Sequence, residues 1–476
     1  MHIWGTRRVT FALSTPLIGA LIYTGTAACS PSDGATSPVP AKGTPGAAGI
    51  GDRDFPTDGN GGYDVGHYGL KLSYDPGTHK LGGTADITAK AVQNLSQFNL
   101  DLHGLIVSKA TVDGAAARVT RSGDELTLIP ERTIADGSTF DVRVTYGGTP
   151  TPMRDQANLG TYGFIATKDG AFVTCEPDGA KTWFPSNDHP ADKATYDFEI
   201  TVPRGLTAIA NGELTAPPRT IGADTTYSWR ERHPMASYLA TMTLGEFKVK
   251  TGETAKGIPN YTAVDPRFSG SLDSVYQQTG KVTDYWATVF GPYPFSSTGA
   301  IVDDYNAGYA LENQTKPIYG GFAPDTATLV HELAHQWFGD SVSIERWHDL
   351  WLNEGFATYA EWLWSEHTGN GTAETIFQGY YKAKDDAMWS YPPGRARKDD
   401  LFDQSVYTRG AMTLQALRRT IGDDDFFALL KDWTTTHKYG NATTDEFIAA
   451  AERISSRQLD SLFDAWLFKP GRPALS

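Results

Sequence analysis

His331-Glu332-Leu333-Ala334-His335 is the stretch that decides how this chain is interpreted. On a helix, residues four apart lie on one face, one turn above the other, so both imidazoles can bind a single metal ion. Glu332 lies beside them, where its carboxylate can take a proton from metal-bound water. The spacing of the apolar residues predicts a buried helix over 326–339. For the five-residue motif alone, the alternative is a buried helix whose histidines only hydrogen-bond to each other.

A zinc site needs a third protein ligand and an open fourth position. The extended motif with a glycine and a third histidine fails here, because Phe338 and Ser341 occupy those positions. His348 does not have the spacing of a known third ligand. We expect it at the surface or in contact with a ligand residue rather than with the metal. Glu354 is the better candidate, since eighteen residues separate it from His335 and it opens the next predicted helix. A turn between two antiparallel helices would bring its carboxylate to the metal.

Composition limits the class of protein. The chain has 476 residues, which suggests about three structural units. Its formal net charge of −15 disfavours nucleic-acid binding, which needs a basic face. Its two cysteines, Cys29 and Cys175, form no C-x-x-C pair, which excludes a thiolate zinc site and a disulfide framework.

The amino terminus is typical of an export signal. Arg7 and Arg8 precede an apolar run from Val9 to Tyr23, and small residues follow up to Cys29. We predict a signal peptide over 1–29, either simply cleaved or of the lipoprotein type with Cys29 lipidated. The expected location is therefore secreted or anchored to the cell envelope, with that lipid as the only membrane contact.

The rest of the chain divides by its pattern. Residues 30–62 are rich in Gly, Pro and Ser, and we predict a flexible linker there. Period-two alternation over 63–250, as in Leu70, Leu72 and Tyr74, predicts an antiparallel β domain. From 251 to 476 the apolar spacing becomes mainly helical. The predicted fold class is therefore α+β and multidomain, with a β domain followed by a mainly α-helical catalytic domain.

The metal motif resembles that of the aminopeptidase N family of zinc metallopeptidases, whose pattern is H-E-x-x-H, eighteen residues, then E. The flanking segments 335–340 and 350–357 are similar to the family as well. The resemblance implies a thermolysin-like catalytic domain with one zinc ion per chain. It implies His331, His335 and Glu354 as ligands and Glu332 as general base. It also implies a short form that lacks the family's large C-terminal helical domain.

Two further elements resemble the family's recognition of a free amino terminus. Tyr309-Ala310-Leu311-Glu312-Asn313 occupies the position of the family's G-A-M-E-N strand edge. The resemblance implies that Glu312 receives the substrate's α-amino group and that Tyr309, Ala310 and Asn313 line the substrate, although Tyr309 replaces the leading glycine. Glu176, in the segment 174–177, matches a second carboxylate for that amine. Thr174 stands where the family commonly has glutamine, so a different first specificity pocket is expected.

A fourth element, Tyr407-Thr408-Arg409-Gly410-Ala411, resembles the family's Y-x-K-G. In the family this tyrosine points at the metal site. The resemblance therefore implies that the Tyr407 phenol donates a hydrogen bond to the oxyanion formed when water attacks the carbonyl.

These elements together predict a zinc-dependent aminopeptidase that hydrolyses the first peptide bond of substrates with a free amino terminus. One alternative is a non-catalytic, peptide-binding lipoprotein of the same fold. Another is an endopeptidase of the thermolysin type, and nothing in the chain specifically supports the epoxide hydrolysis of one family branch. The preferred first residue and the oligomeric state do not follow from the sequence, and zinc rests on the resemblance.

Overall fold

Alternating apolar residues build the first half of the chain into strands. The computed structural model describes residues 42–155, 159–383 and 386–475. Its strands are β1 Thr44–Pro45, β2 Tyr63–Asp75, β3 Lys80–Ala91, β4 Leu95–Asp101, β5 Ile106–Val112, β6 Ala115–Ala116, β7 Arg118–Ser122, β8 Glu125–Ile129, β9 Thr139–Gly148, β10 Met153–Asp155, β11 Gly160–Ala166, β12 Ala171–Thr174, β13 Lys193–Pro203, β14 Thr207–Ala210, β15 Glu213–Leu214, β16 Arg219–Ile221, β17 Asp224–Ala236, β18 Met242–Gly245, β19 Lys248–Glu253, β20 Pro259–Val264, β21 Thr298–Asp303, β22 Ala310–Leu311, β23 Ile318–Gly320, β24 Ser343–Ile344 and β25 Asn441–Ala442.

Helices dominate after residue 270. They are α1 Leu272–Val289, α2 Thr326–Ala334, α3 Trp351–Thr368, α4 Ala373–Lys382, α5 Asp386–Ser390, α6 Gly410–Ile421, α7 Asp423–Thr436, α8 Thr444–Ser455 and α9 Asp460–Phe463. The predicted order of a β-rich part followed by a helical part is therefore confirmed. The helix predicted over 326–339 ends earlier, at Ala334, because Trp337 and Phe338 both donate their amides to the Ala334 carbonyl and Gly339 takes a φ of 131°.

A large sheet forms the body of the first half, with strands in the order β15-β17-β13-β2-β3-β9-β5-β6 and β16 beside β17. The side chains of Leu70, Leu72 and Tyr74 in β2 are all buried, as the alternation predicts. They belong to one continuous apolar core, which also contains residues of α2 such as Val330 and Leu333. Because the β-rich and helical parts share this core, α2 is held against a rigid support.

Two smaller sheets carry the residues that matter for the site. β11 and β12 are antiparallel neighbours in the order β10-β11-β12-β18-β14. The second sheet has the order β19-β20-β21-β23-β22, so the short strand β22 lies at its edge. The predicted domain boundary between residues 250 and 251 falls inside β19, the first strand of this second sheet.

The prediction of a flexible linker over 30–62 is wrong for residues 42–62. There β1 pairs with β4, and Phe55 is buried against the ring of Trp347 at 5.5 Å between centroids. Asp52 is buried as well and accepts hydrogen bonds from the Trp347 amide and from His189. The composition of this segment, mostly small and polar residues, did not indicate order. One aromatic ring, Phe55, and one paired carboxylate, Asp52, attach it to the rest of the fold.

The predicted signal peptide over 1–29, including Cys29, lies outside the described residues. Within the described residues, none of the helices combines the length and the apolar character that crossing a bilayer would require.

Candidate active site

The metal helix α2 begins with a side-chain cap. Asp325 accepts hydrogen bonds from the amide and the hydroxyl of Thr328, at 2.8 and 2.9 Å, which satisfies amides that a helix start leaves free. Its apolar residues are buried, while His331 and His335 emerge on one face with ring centroids 4.9 Å apart. The four-residue spacing thus places both imidazoles where the sequence predicts.

Glu354 lies in the first turn of α3 and meets both rings. Its Oε2 atom is 3.1 Å from Nε2 of His331 and 3.4 Å from Nε2 of His335. All three side chains belong to one group whose ligand atoms lie within 4.8 Å of one another. The structure therefore brings together the three residues predicted as ligands, whereas His348 is partly exposed and pairs with Asp349 at 3.7 Å.

The far nitrogens of the two rings show that the donor set fits a metal ion. Nδ1 of His331 contacts Oε1 of Glu361 at 2.8 Å, and Nδ1 of His335 contacts the Phe338 carbonyl at 3.0 Å. Because both partners only accept, each Nδ1 carries a proton, and each Nε2 faces Glu354. A proton on Nε2 can bridge to this carboxylate, and a metal ion bound by the Nε2 lone pairs of the neutral rings can take the place of those protons. Tetrahedral zinc, with bonds of about 2.1 Å, separates its ligand atoms by about 3.4 Å, close to the distances seen.

The charges of the ligands agree with that fit. Burial lowers the pKa of both histidines, yet Glu354 and the other nearby carboxylates outweigh it, raising His335 to about 9 and His331 well above its usual range. Burial raises the pKa of Glu354, but the two histidines lower it to about 2. The Glu354 carboxylate thus lies between two imidazole rings that bind protons readily. At such a site a metal ion can bind in place of the protons on the two rings.

Glu332 occupies the position expected of a base. It is buried, and burial raises the pKa of its carboxyl to about 7 against the opposing effect of His331 and His335. A general base works best when its pKa lies near the working pH. Together with Glu312 and His335, Glu332 forms a second group whose ligand atoms lie within 4.8 Å of one another.

Glu176 and Glu312 converge on the same space from opposite parts of the chain. Their carboxylate oxygens and one of Glu354 lie within 4.8 Å of one another. Both side chains are buried, and Oε1 of each has no hydrogen-bond partner among the described residues. Burial first and neighbouring carboxylates second raise the pKa of Glu176; burial also raises that of Glu312. Two buried carboxylates beside a metal site, each with one unpartnered oxygen, form a strong binding site for a cationic group.

Tyr407 reaches the site from a five-residue π-helical turn, Ser405–Arg409, that leads into α6. Its ring stacks on His331 with centroids 6.1 Å apart and planes 18° apart. The turn is pressed against α3, since a Cβ on Gly410 would lie 2.9 Å from the Cα of Gly355. The two glycines therefore allow the close approach that brings the phenol beside the metal ligands.

The predicted substrate edge lies beside this acidic pocket. Ala310 begins the edge strand β22, and Asn313 is fully buried, with both polar side-chain atoms unpartnered among the described residues. Tyr309, the departure from glycine, has an ordinary backbone conformation, because it is not among the residues of positive φ. Its phenol oxygen lies 2.8 Å from Oγ1 of Thr174 and 2.8 Å from the Thr161 carbonyl.

Two residues of the site were missed at the level of sequence. Glu361 follows Glu354 by seven residues, two turns along α3, which is a spacing that could have indicated it. Gln336 directly follows His335; its amide donates to the Glu312 carbonyl at 3.0 Å and accepts from the Thr315 amide at 2.8 Å. Only the tertiary contact reveals that Gln336 holds the segment that carries Glu312.

Comparison with known proteins identifies the family of the chain. The chain matches the Peptidase M1 N-terminal domain over residues 65–239 and the Peptidase family M1 domain over residues 324–466. It is 30% identical to glutamyl aminopeptidase of Bos taurus over 65% of this chain and 35% of that protein. It is 29% identical to aminopeptidase N of Streptomyces lividans over 67% of this chain and 39% of that protein. The chain thus spans less than half the length of these two curated relatives.

Solved structures match over nearly the whole fold. An M1 zinc metallopeptidase from Deinococcus radiodurans superposes with a TM-score of 0.84 at 29% identity, covering 90% of this chain and 98% of that one. Its E323A mutant bound to a Tyr-Ser-Ala substrate gives the same TM-score at 28% identity, covering 90% of this chain and all of that one.

Proposed function

Because this chain belongs to the M1 family of peptidases, with both family domains matched over 65–239 and 324–466, we propose that it is a zinc-dependent aminopeptidase. Its substrates are peptides with a free amino terminus, from which it releases the first residue. The substrate-bound Deinococcus structure, of similar length and fold, supports a peptide as the ligand.

One observation carries the proposal: Glu354 belongs to two groups at once. It joins His331 and His335 as the candidate ligands, and it lies within 4.8 Å of oxygens of Glu176 and Glu312. A cationic amine held by those two carboxylates is therefore kept a short, fixed distance from the metal. Only a bond close to the amino end of the substrate can then reach the reacting position, which favours an exopeptidase over an endopeptidase.

The residues divide the chemistry as follows. When bound by His331, His335 and Glu354, zinc supplies a Lewis acid that polarises the scissile carbonyl and acidifies water. Glu332 accepts the proton from the attacking water and passes it to the leaving amine, which its pKa of about 7 allows. Tyr407 remains a neutral donor, because burial and the nearby carboxylates raise its pKa well above 10. Its hydroxyl can then donate to the developing oxyanion.

Ammonium recognition orients the substrate. Glu176 and Glu312 pair with the α-ammonium and so place the first peptide bond at Glu332. We propose that the substrate backbone binds to Ala310, on the edge strand β22, and to Asn313, two residues after the strand. Such positioning converts binding energy into a higher effective concentration of the reacting groups.

The decisive experiment compares aminoacyl p-nitroanilides with their N-acetylated forms, using the full chain loaded with zinc. We expect release from the free-amine substrates only, loss of activity with a chelator, and recovery on adding zinc. Glu332→Gln should retain zinc, as measured by metal analysis, and lose turnover. Equal cleavage of acetylated substrates would instead establish an endopeptidase, and an active Glu332→Gln enzyme would refute the assignment of the base.

We also propose export of the chain, based on Arg7, Arg8 and the apolar run from Val9 to Tyr23. The mature protein then begins near Cys29, with or without a lipid on that cysteine. Mass spectrometry of the amino-terminal peptide from the native host distinguishes a lipidated Cys29, a simply cleaved chain and an unprocessed one.

A further inference from the structure

Tyr309 stands where the family pattern has glycine, and its side chain makes contacts that a glycine could not. The hydroxyl lies 2.8 Å from both the Thr174 hydroxyl and the Thr161 carbonyl. Because the carbonyl can only accept, the phenol donates to Thr161 and accepts from Thr174. The ring also packs edge-on against Phe172, with centroids 6.5 Å apart. Tyr309 is therefore attached to the strands β11 and β12 at three points.

The attachment falls where Glu176 leaves the sheet. β11 and β12 pair in antiparallel register with Gly163 opposite Thr174. β12 ends at Thr174, and Glu176 lies two residues later, in the turn that follows the strand. The Tyr309 hydroxyl thus bonds the side chain of Thr174, two residues before Glu176, and the backbone carbonyl of Thr161 in β11.

The same tyrosine precedes Glu312 by three residues. Between them lies only the edge strand β22, so a displacement of Tyr309 moves Glu312 as well. On its other side Glu312 is held by Gln336, whose side chain donates to its carbonyl at 3.0 Å. The segment 309–315 is therefore fixed at one end by Gln336, just after α2, and at the other end to β11 and β12, the strands that precede Glu176.

We infer that Tyr309 is a positioning residue for ammonium recognition: its hydroxyl bridges Thr161 and Thr174 and so sets the distance between Glu176 and Glu312. The inference rests on the proposed function, because it assigns the ammonium to these two carboxylates. A single phenol oxygen links the two halves of the amine site, which approach from segments more than 130 residues apart in the chain. Tyr309, which replaces the smaller glycine of the family pattern, thereby affects substrate binding through its contacts with β11 and β12 and not through contact with the substrate.

The test uses two zinc-binding inhibitors that differ only in the α-amine: leucine hydroxamate and 4-methylpentanoyl hydroxamate. Tyr309→Phe removes one oxygen and keeps the ring. The substitution removes two hydrogen bonds that act on the amine site only indirectly, so we expect it to weaken the amine-bearing hydroxamate by about 3- to 10-fold and to leave the des-amino compound unchanged. KM for free-amine substrates should rise by a similar factor, with little change in kcat.

Two further variants separate positioning from a general structural effect. Thr174→Val removes one arm of the bridge, so its effect should be smaller than that of Tyr309→Phe and should disappear in the double variant. Tyr227→Phe is the matched control, since that phenol donates to the Leu206 carbonyl at 3.0 Å in the large sheet, far from the site in the chain. It should leave both inhibition constants unchanged.

Each outcome has a distinct meaning. If Tyr309→Phe weakens both hydroxamates equally, or neither, the bridge does not position the amine site and the inference is overturned. If the wild-type enzyme itself binds the two hydroxamates equally well, the carboxylates do not recognise the ammonium, and the proposed function fails instead.

Discussion

Oε1 of Glu361 accepts a hydrogen bond from Nδ1 of His331 at 2.8 Å, two helical turns after Glu354 supplies its oxygen to the other nitrogen of the same ring. The imidazole is thus held between two carboxylates of a single helix, α3. This fixes both the tautomer and the orientation of His331, so that Nε2 faces the metal position.

Replacing Glu361 with alanine should weaken zinc binding by about 10- to 100-fold, because His331 loses the partner that orients its ring. Competition with a fluorescent chelator measures this affinity without any assay of activity. Glu366→Ala is the control: Glu366 lies on the same helix but pairs with Arg418 at 3.0 Å and touches neither histidine. Equal losses of zinc affinity in the two variants would show that Glu361 has no specific role.

Gly410→Ala should displace Tyr407. The added Cβ would lie 2.9 Å from the Cα of Gly355, a backbone atom that cannot turn aside. We expect the free energy of unfolding to fall by about 1–3 kcal/mol and kcat to fall more than KM changes, since the phenol acts in the transition state. Urea unfolding and steady-state kinetics measure the two effects.

Gly379→Ala provides the matched control for that substitution. Gly379 lies within α4, and nothing stands within 4 Å of a Cβ added there. The alanine should therefore raise stability by about 0.5–1 kcal/mol through helix propensity and leave kinetics unchanged. A Gly410→Ala enzyme with the stability and kcat of wild type would contradict the proposed role of the close glycine contact.

The sequence predicted most of the metal site, because its determinants are local or have a fixed spacing. His331 and His335 are set by one helix, and Glu354 by a loop of fixed length before the next helix. The bridge from Tyr309 to Thr161 could not be predicted, since it joins strands through a contact that depends on how two sheets pack. The segment 42–62 was misassigned for a related reason: average composition does not reveal that Phe55 and Asp52 have partners near residue 347.

Asp52→Asn tests how firmly that amino-terminal segment is attached. Burial raises the pKa of Asp52, but hydrogen bonds from His189, Trp347 and Asp54 outweigh it and hold the pKa below the usual 3.8. The carboxylate therefore stabilises the fold above pH of about 4, and this stabilisation is lost as the pH falls through the lowered pKa. We expect Asp52→Asn to cost about 1.5–3 kcal/mol at pH 7, the worth of hydrogen bonds to a charged group.

The pH dependence of this difference is the sharper measurement. Urea unfolding of both proteins between pH 8 and pH 3 should give a constant gap down to about pH 4 and a narrowing gap below it. A gap that already closes between pH 7 and pH 5 would instead point to His189, whose pKa burial lowers from 6.5. In that case the neutral histidine, rather than the aspartate charge, governs attachment of the segment.

Arg409 is a buried cation next to the site, at a position where the family pattern has lysine. Its fully buried guanidinium donates to five carbonyls, those of Trp389, Tyr391, Ala465, Trp466 and Lys469. A lysine ammonium has three donors on one atom and cannot reach five acceptors spread around a planar fork.

Arg409→Lys should therefore leave buried carbonyls unpaired and lower the free energy of unfolding by about 2–4 kcal/mol. Because Arg409 lies two residues after Tyr407 in the same π-helical turn, kcat should fall as well. Arg419→Lys on α6 is the control, since that side chain is partly exposed and its ion pair with Glu374 is long, at 3.9 Å. We expect the free energy of unfolding to change there by less than about 0.5 kcal/mol. If the two substitutions prove equally mild in urea unfolding, the five carbonyl contacts do not hold the turn, and another feature must position Tyr407.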